Sequence, residues 1–81
     1  MAKWKYKYGE NIIEIRSWDL GGCELRVNGQ IQDKHKGIHF GTGRILNGKL
    51  DSGEEIQARP GAVFSEPVLT VDNKLVTTRI S

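Results

Sequence analysis

Two histidines, one cysteine and an amino-terminal run of lysines and aromatic rings are the residues whose types and spacing could do chemistry in this chain. In Asp33-Lys34-His35-Lys36-Gly37-Ile38-His39 an extended backbone puts both imidazoles on one face, because side chains alternate from residue to residue. With Asp33 they could offer ligands to a metal ion. Lys34 and Lys36 flank His35 and repel a cation, and a third strong nitrogen or sulfur ligand is missing, so neither a metal nor any other cofactor is expected. Cys23 and His35 are the available thiol and imidazole, the combination a thiolate nucleophile requires. Nothing in their spacing asks for the pair, and Cys23 shares an apolar side with Leu25 and Val27, where a cysteine serves as a small hydrophobe. Gly41-Thr42-Gly43-Arg44 could cradle an anion on backbone N–H groups. A phosphate loop leads into a helix N-terminus, however, and Ile45-Leu46-Asn47-Gly48 reads as strand and turn. No nucleophile with its base stands out, nor do two carboxylates in contrasting environments, so no catalytic residues are expected and the chain reads as non-enzymatic.

Lys3, Trp4, Lys5, Tyr6 and Lys7 combine cations with rings, the mixture that single-strand nucleic-acid binders use for phosphates and bases. Strict alternation sets the rings and the ammonium groups on opposite faces, so burying the rings leaves a lysine-bearing strand of the kind that protects sheet edges. Beyond that arm, residues 9–81 hold nine basic and ten acidic residues, and no basic footprint extends further along the sequence. Trp18, in the loop-like Ser17-Trp18-Asp19-Leu20-Gly21-Gly22, is a candidate anchor for a protein partner. Its ordinary role would be to close the open end of a small core.

The elements that must position these residues read as strands. Apolar residues recur at every second position, ten glycines punctuate the chain, and no window carries helical spacing with a cap. Asn28-Gly29, Asn47-Gly48 and Asp72-Asn73 each sit between alternating segments and read as hairpin turns. Their unequal spacing argues against a solenoid and favours a sandwich or barrel. The expected inward set is Trp4, Ile13, Ile15, Leu25, Val27, Ile31, Ile38, Phe40, Ile45, Leu50, Ile56, Phe64, Leu69, Val71 and Leu75. Glu14 with Arg16 and Glu24 with Arg26 would form a solvated face of mixed sign. The architecture expected is one all-β domain over residues 1–81, an antiparallel β-sandwich of about eight short strands joined by tight hairpins.

At 81 residues, with 37% hydrophobic and 27% charged, the chain is of ordinary globular composition and has room for one small core. Its net charge of +2 does not by itself argue for a polyanionic partner, and no apolar stretch reaches membrane-spanning length. With a single cysteine and no evident leader, a cytoplasmic protein is expected. From Glu24 to Val76 the succession of strand, Val27-Asn28-Gly29, Gly-rich link, Gly48-Lys49-Leu50 with Ser52-Gly53, and Leu69-Thr70-Val71-Asp72-Asn73-Lys74 resembles one domain of the Fas apoptotic inhibitory molecule family. That resemblance implies an eight-stranded β-sandwich acting through protein contacts without a cofactor. The chain also resembles short bacterial β proteins. The expected function is therefore binding of another protein, with self-association into a homodimer as a further option. The alternative is a small β-barrel holding single-stranded nucleic acid through Lys3, Trp4, Lys5, Tyr6 and Lys7.

Overall fold

Alternating segments, joined among the described residues by turns with positive φ angles, build the fold. A computed structural model describes residues 2–18, 21–35, 45–60 and 66–81. It contains β1 (Ala2–Tyr8), β2 (Asn11–Ser17), β3 (Cys23–Val27), β4 (Gln30–His35), β5 (Leu46–Lys49), β6 (Glu55–Arg59), β7 (Val68–Val71) and β8 (Lys74–Leu75). Two four-stranded antiparallel sheets follow chain order, β1-β2-β3-β4 (sheet A) and β5-β6-β7-β8 (sheet B). No helix occurs among the described residues. The β-sandwich read from the sequence is thus the observed architecture.

Two of the three expected turns form as anticipated. Asn28 and Gly29 take φ of 52° and 85°, and Asp72 and Asn73 take 50° and 64°, the left-handed values that a two-residue type I′ turn requires. Asn28 is also held by its side chain, whose Oδ1 accepts from Ile12 N at 2.9 Å. The third expectation is corrected: Asn47-Gly48 is not a turn but lies within β5, and the chain reverses at 51–53, where Gly53 has φ 103°. Packing gives the reason. A Cβ on Gly48 would come within 3.0 Å of Leu25 Cδ2 and 3.1 Å of Gln32 Cβ, so the glycine lets β5 lie directly against sheet A.

The core is shared by both sheets. Trp4, Tyr6, Ile13, Ile15, Cys23, Leu25 and Val27 meet Leu46, Leu50, Ile56, Ala58, Leu69 and Val71. Three residues expected inside are not there: Ile31 and Leu75 are 52% and 64% exposed, and Ile45 is only half-buried while its neighbour Leu46 is fully buried. The two-residue turn pairs inward Val27 with Gln30, which forces Ile31 opposite Arg26 on the outer face. Leu75 pairs with Thr70, an outward position of β7 between buried Leu69 and Val71. Ile38, Phe40 and Phe64 lie outside the described residues.

The sheets are joined along both margins. Between β4 and β5 the bonds come from side chains: Asn47 N donates to Asp33 Oδ2 at 2.9 Å and Lys49 N to Gln32 Oε1 at 3.4 Å. Along the other margin, residues 78–81 run beside β1. Lys7 N donates to Thr78 O at 2.9 Å, Ile80 N to Lys5 O at 2.8 Å and Lys5 N to Ser81 O at 3.1 Å. β1 is thus the edge strand of sheet A, as expected, and its outer backbone groups at Lys5 and Lys7 are paired with residues 78–81.

Gly48→Ala should destabilise the fold by about 1–2 kcal/mol through overpacking against Leu25 and Gln32. Urea unfolding would show this as a lower midpoint at unchanged slope.

Candidate functional site

Pleating sends Trp4 and Tyr6 into the core, 7% and 1% exposed, and turns Lys3, Lys5 and Lys7 to the outer face of sheet A. Neither buried ring is available to stack on a base. The phenol of Tyr6 donates to Glu66 Oε2 at 3.1 Å, and Glu66 Oε1 accepts from Arg79 Nη1 at 2.9 Å. Burial first, then the hydrogen bond and the charge of Glu66, push the Tyr6 pKa up to about 12, with Arg79 opposing.

The lysines do not stand alone on their face. Cross-strand register lines up Lys3, Arg16, Glu24 and Lys34 in one row and Lys5, Glu14, Arg26 and Ile31 in the next, with Lys7 beside Ile12. Six cations and two carboxylates thus share one sheet face, a net of four positive charges in a chain whose total is +2. Sequence order hides this footprint, because Arg16, Arg26 and Lys34 are scattered among acids and only strand pairing gathers them.

The carboxylates are not solvated, which corrects the expected open mixed-sign face. Glu24 is 2% and Glu14 8% exposed. Each is gripped by the arginine two residues on along its own strand, Arg16 on Glu14 and Arg26 on Glu24. A lysine of the neighbouring strand stands further off: Lys5 Nζ is 3.8 Å from Glu14 and Lys34 Nζ 4.0 Å from Glu24. The arginines are thereby committed to the glutamates, whereas Lys3 and Lys7 are exposed and Lys5 and Lys34 are only loosely held. Such an array can bind anions through ammonium groups spaced two residues, about 6.8 Å, apart along β1.

Trp18 borders this face. It follows β2, is half-buried, and takes no place in the core cluster. Its backbone N–H donates to Gly22 O and its backbone carbonyl accepts from Gly21 N, both at 3.1 Å, so its main chain is held on both sides. Lys34 Nζ lies 5.9 Å from the centre of its ring, within cation–π reach.

The histidine and cysteine candidates fall elsewhere. Cys23 and His35 are directly paired across β3 and β4, a proximity the sequence spacing did not demand, and Cys23 is buried at 4% exposure. His35 Nε2 lies 3.1 Å from Ile45 O and 3.8 Å from Asp33 Oδ2, which places its ring in the seam to β5. Asp33 accepts from Lys34 N and Asn47 N, so it ties the same seam. Among the described residues no three histidine, cysteine or acidic side chains cluster to hold a metal ion. His39 and Gly41-Thr42-Gly43-Arg44 lie outside the described residues. No protein-family model, curated protein or solved structure matches the chain. Among the described residues no helix is long and apolar enough to cross a membrane.

Two outcomes follow from these environments. Glu24→Gln should cost about 1–2 kcal/mol, since Arg26 and Lys34 lose their counter-charge but keep partial access to water, and Glu14→Gln should cost less; chemical denaturation of both variants checks the order. For Tyr6 the folded pKa lies above the ordinary value of 10, so the folded state retains its proton when the unfolded chain has lost it. Stability is intact below pH 10 and falls between 10 and 12, by up to about 1.4 kcal/mol per unit, a loss that Tyr6→Phe should abolish in alkaline unfolding curves.

Proposed function

We propose that this domain is a non-enzymatic binding module whose working surface is the outer face of sheet A and whose ligand is single-stranded nucleic acid. The observation that carries this reading is the gathering of six cations on one flat face whose two carboxylates are already engaged. Lys3, Lys5, Lys7 and Lys34 meet phosphates, and the half-buried Trp18 ring beside Lys34 offers a base one stacking surface. A flat sheet face projects no helix or ribbon into a duplex groove, which favours a splayed single strand over double-stranded DNA. In this reading the protein works in the cytoplasm, where Cys23 stays reduced.

Binding of another protein is the second reading, and one observation favours it. Val68 and Leu75 stand 51% and 64% exposed on the outer face of sheet B, near neighbours across β7 and β8, with the neutral Gln57 and Thr70 beside them. The resemblance to the Fas apoptotic inhibitory molecule family points the same way.

Trp4→Phe leaves Trp18 as the sole tryptophan, excited selectively at the red edge, for titration with random single-stranded DNA and RNA. Saturable quenching is expected, and contact with about four phosphates should weaken affinity about 50-fold between roughly 50 and 200 mM salt. Replacing Lys3, Lys5 and Lys7 by Ala should remove most of both the affinity and its salt dependence. No quenching at either salt would sink the nucleic-acid reading and leave protein binding through sheet B.

A further inference from the structure

The segment beside β1 is fastened in an unusual way. Val76 still belongs to sheet B, its N–H donating to Leu69 O at 2.9 Å, while Thr78 already belongs to sheet A, its carbonyl accepting from Lys7 N at 2.9 Å. Only Thr77 separates the two ladders. The crossing is closed by a tight bond from Arg79 N to Thr77 O at 2.8 Å, the i to i+2 spacing of a γ-turn. All five side chains from Thr77 to Ser81 are exposed, so no core contact anchors the segment. What holds it is the backbone ladder to Lys5 and Lys7, the pairing of Arg79 with Tyr6, and the exposed ion pair from Arg79 to Glu66.

We propose that residues 78–81 are an exchangeable strand, and that the β1 edge accepts the same segment from a second copy of this chain to give a reciprocally swapped dimer. Every bond the segment makes to β1 can be made unchanged between copies. Glu66 stays with its own Tyr6, to which it is hydrogen-bonded, and receives the partner copy's arginine in place of Arg79. The swap then keeps every bond to β1, gives up only the Arg79 N to Thr77 O bond as the crossing at Thr77 is released, and is opposed otherwise by the entropy of association. A one-residue connection between two ladders is the short hinge that invites such exchange. This surface is distinct from the lysine face, and the inference stands whether or not that face binds nucleic acid.

Deleting Thr77 should prevent closure within one chain and convert the protein into a dimer by sedimentation equilibrium. Inserting Gly-Ser-Gly after Thr77 should make it monomeric at every concentration. Adding Ile80→Pro to the deletion removes the N–H that bonds Lys5 O and should return the dimer to monomer. In a mixture of differently isotope-labelled chains, the dimer should show NMR contacts between Tyr6 of one chain and Arg79 of the other. A monomeric deletion variant, or a dimer whose Tyr6 to Arg79 contacts stay within one chain, overturns the proposal. Should the deletion variant fail to fold, the wild-type chain refolded at millimolar concentration from mixed labels decides: contacts between chains support exchange, and contacts within chains alone overturn it.

Discussion

With Asn28-Gly29 holding Val27 opposite Gln30, an unbroken ladder would set Lys34 against Cys23 inside the core and Asp33 against Glu24 on the outer face. The first arrangement buries an ammonium group and the second juxtaposes two carboxylates; both are costly. A bulge avoids them. Between Leu25 and Arg26 the register shifts, Gln32 becomes the extra residue of β4, and every side chain beyond it changes face. Lys34 turns outward to Glu24, while Asp33 and His35 turn toward the seam, where they meet Asn47 N and Ile45 O. The joining of the sheets along the β4–β5 margin and the completion of the cationic face both depend on that one inserted residue.

The outer face of sheet A would be self-repelling if its cations stood alone. Glu14 and Glu24 lower that repulsion from within, each shared by an arginine and a lysine. Burial makes each carboxylate need its arginine, because a carboxylate removed from water without a partner is strongly destabilising. The result is a division of labour by side-chain chemistry. The planar guanidinium groups are spent on structure, and the compact, flexible ammonium groups keep their charge for a ligand.

Closure is uneven around the sandwich. On one margin β5 lies so close that only Gly48 fits over Leu25, and side-chain carbonyl and carboxylate oxygens cap its N–H groups. On the other, a four-residue segment without buried side chains covers β1. The first margin is tied to the core, and the second rests on hydrogen bonds and one surface ion pair. Local opening should therefore favour the β1 side, where little apolar area is at stake.

Alternation and turn chemistry made the architecture legible in the amino-acid sequence: the all-β class, the strands around Ile13, Leu25, Ile56 and Leu69, and the turns at Asn28-Gly29 and Asp72-Asn73 are local consequences of side-chain pattern and left-handed φ. The same pattern placed the amino-terminal lysines opposite their aromatic neighbours. Asn47-Gly48 misled because a glycine required by the approach of another strand is written identically to one required by a turn. Ile31 and Leu75 misled because alternation gives the period of a strand but not its phase, which is set by the turn and by the pairing partner. The cationic face, the burial of Glu14 and Glu24, and the meeting of Cys23 with His35 join residues distant in sequence, and only the tertiary register decides which of them become neighbours.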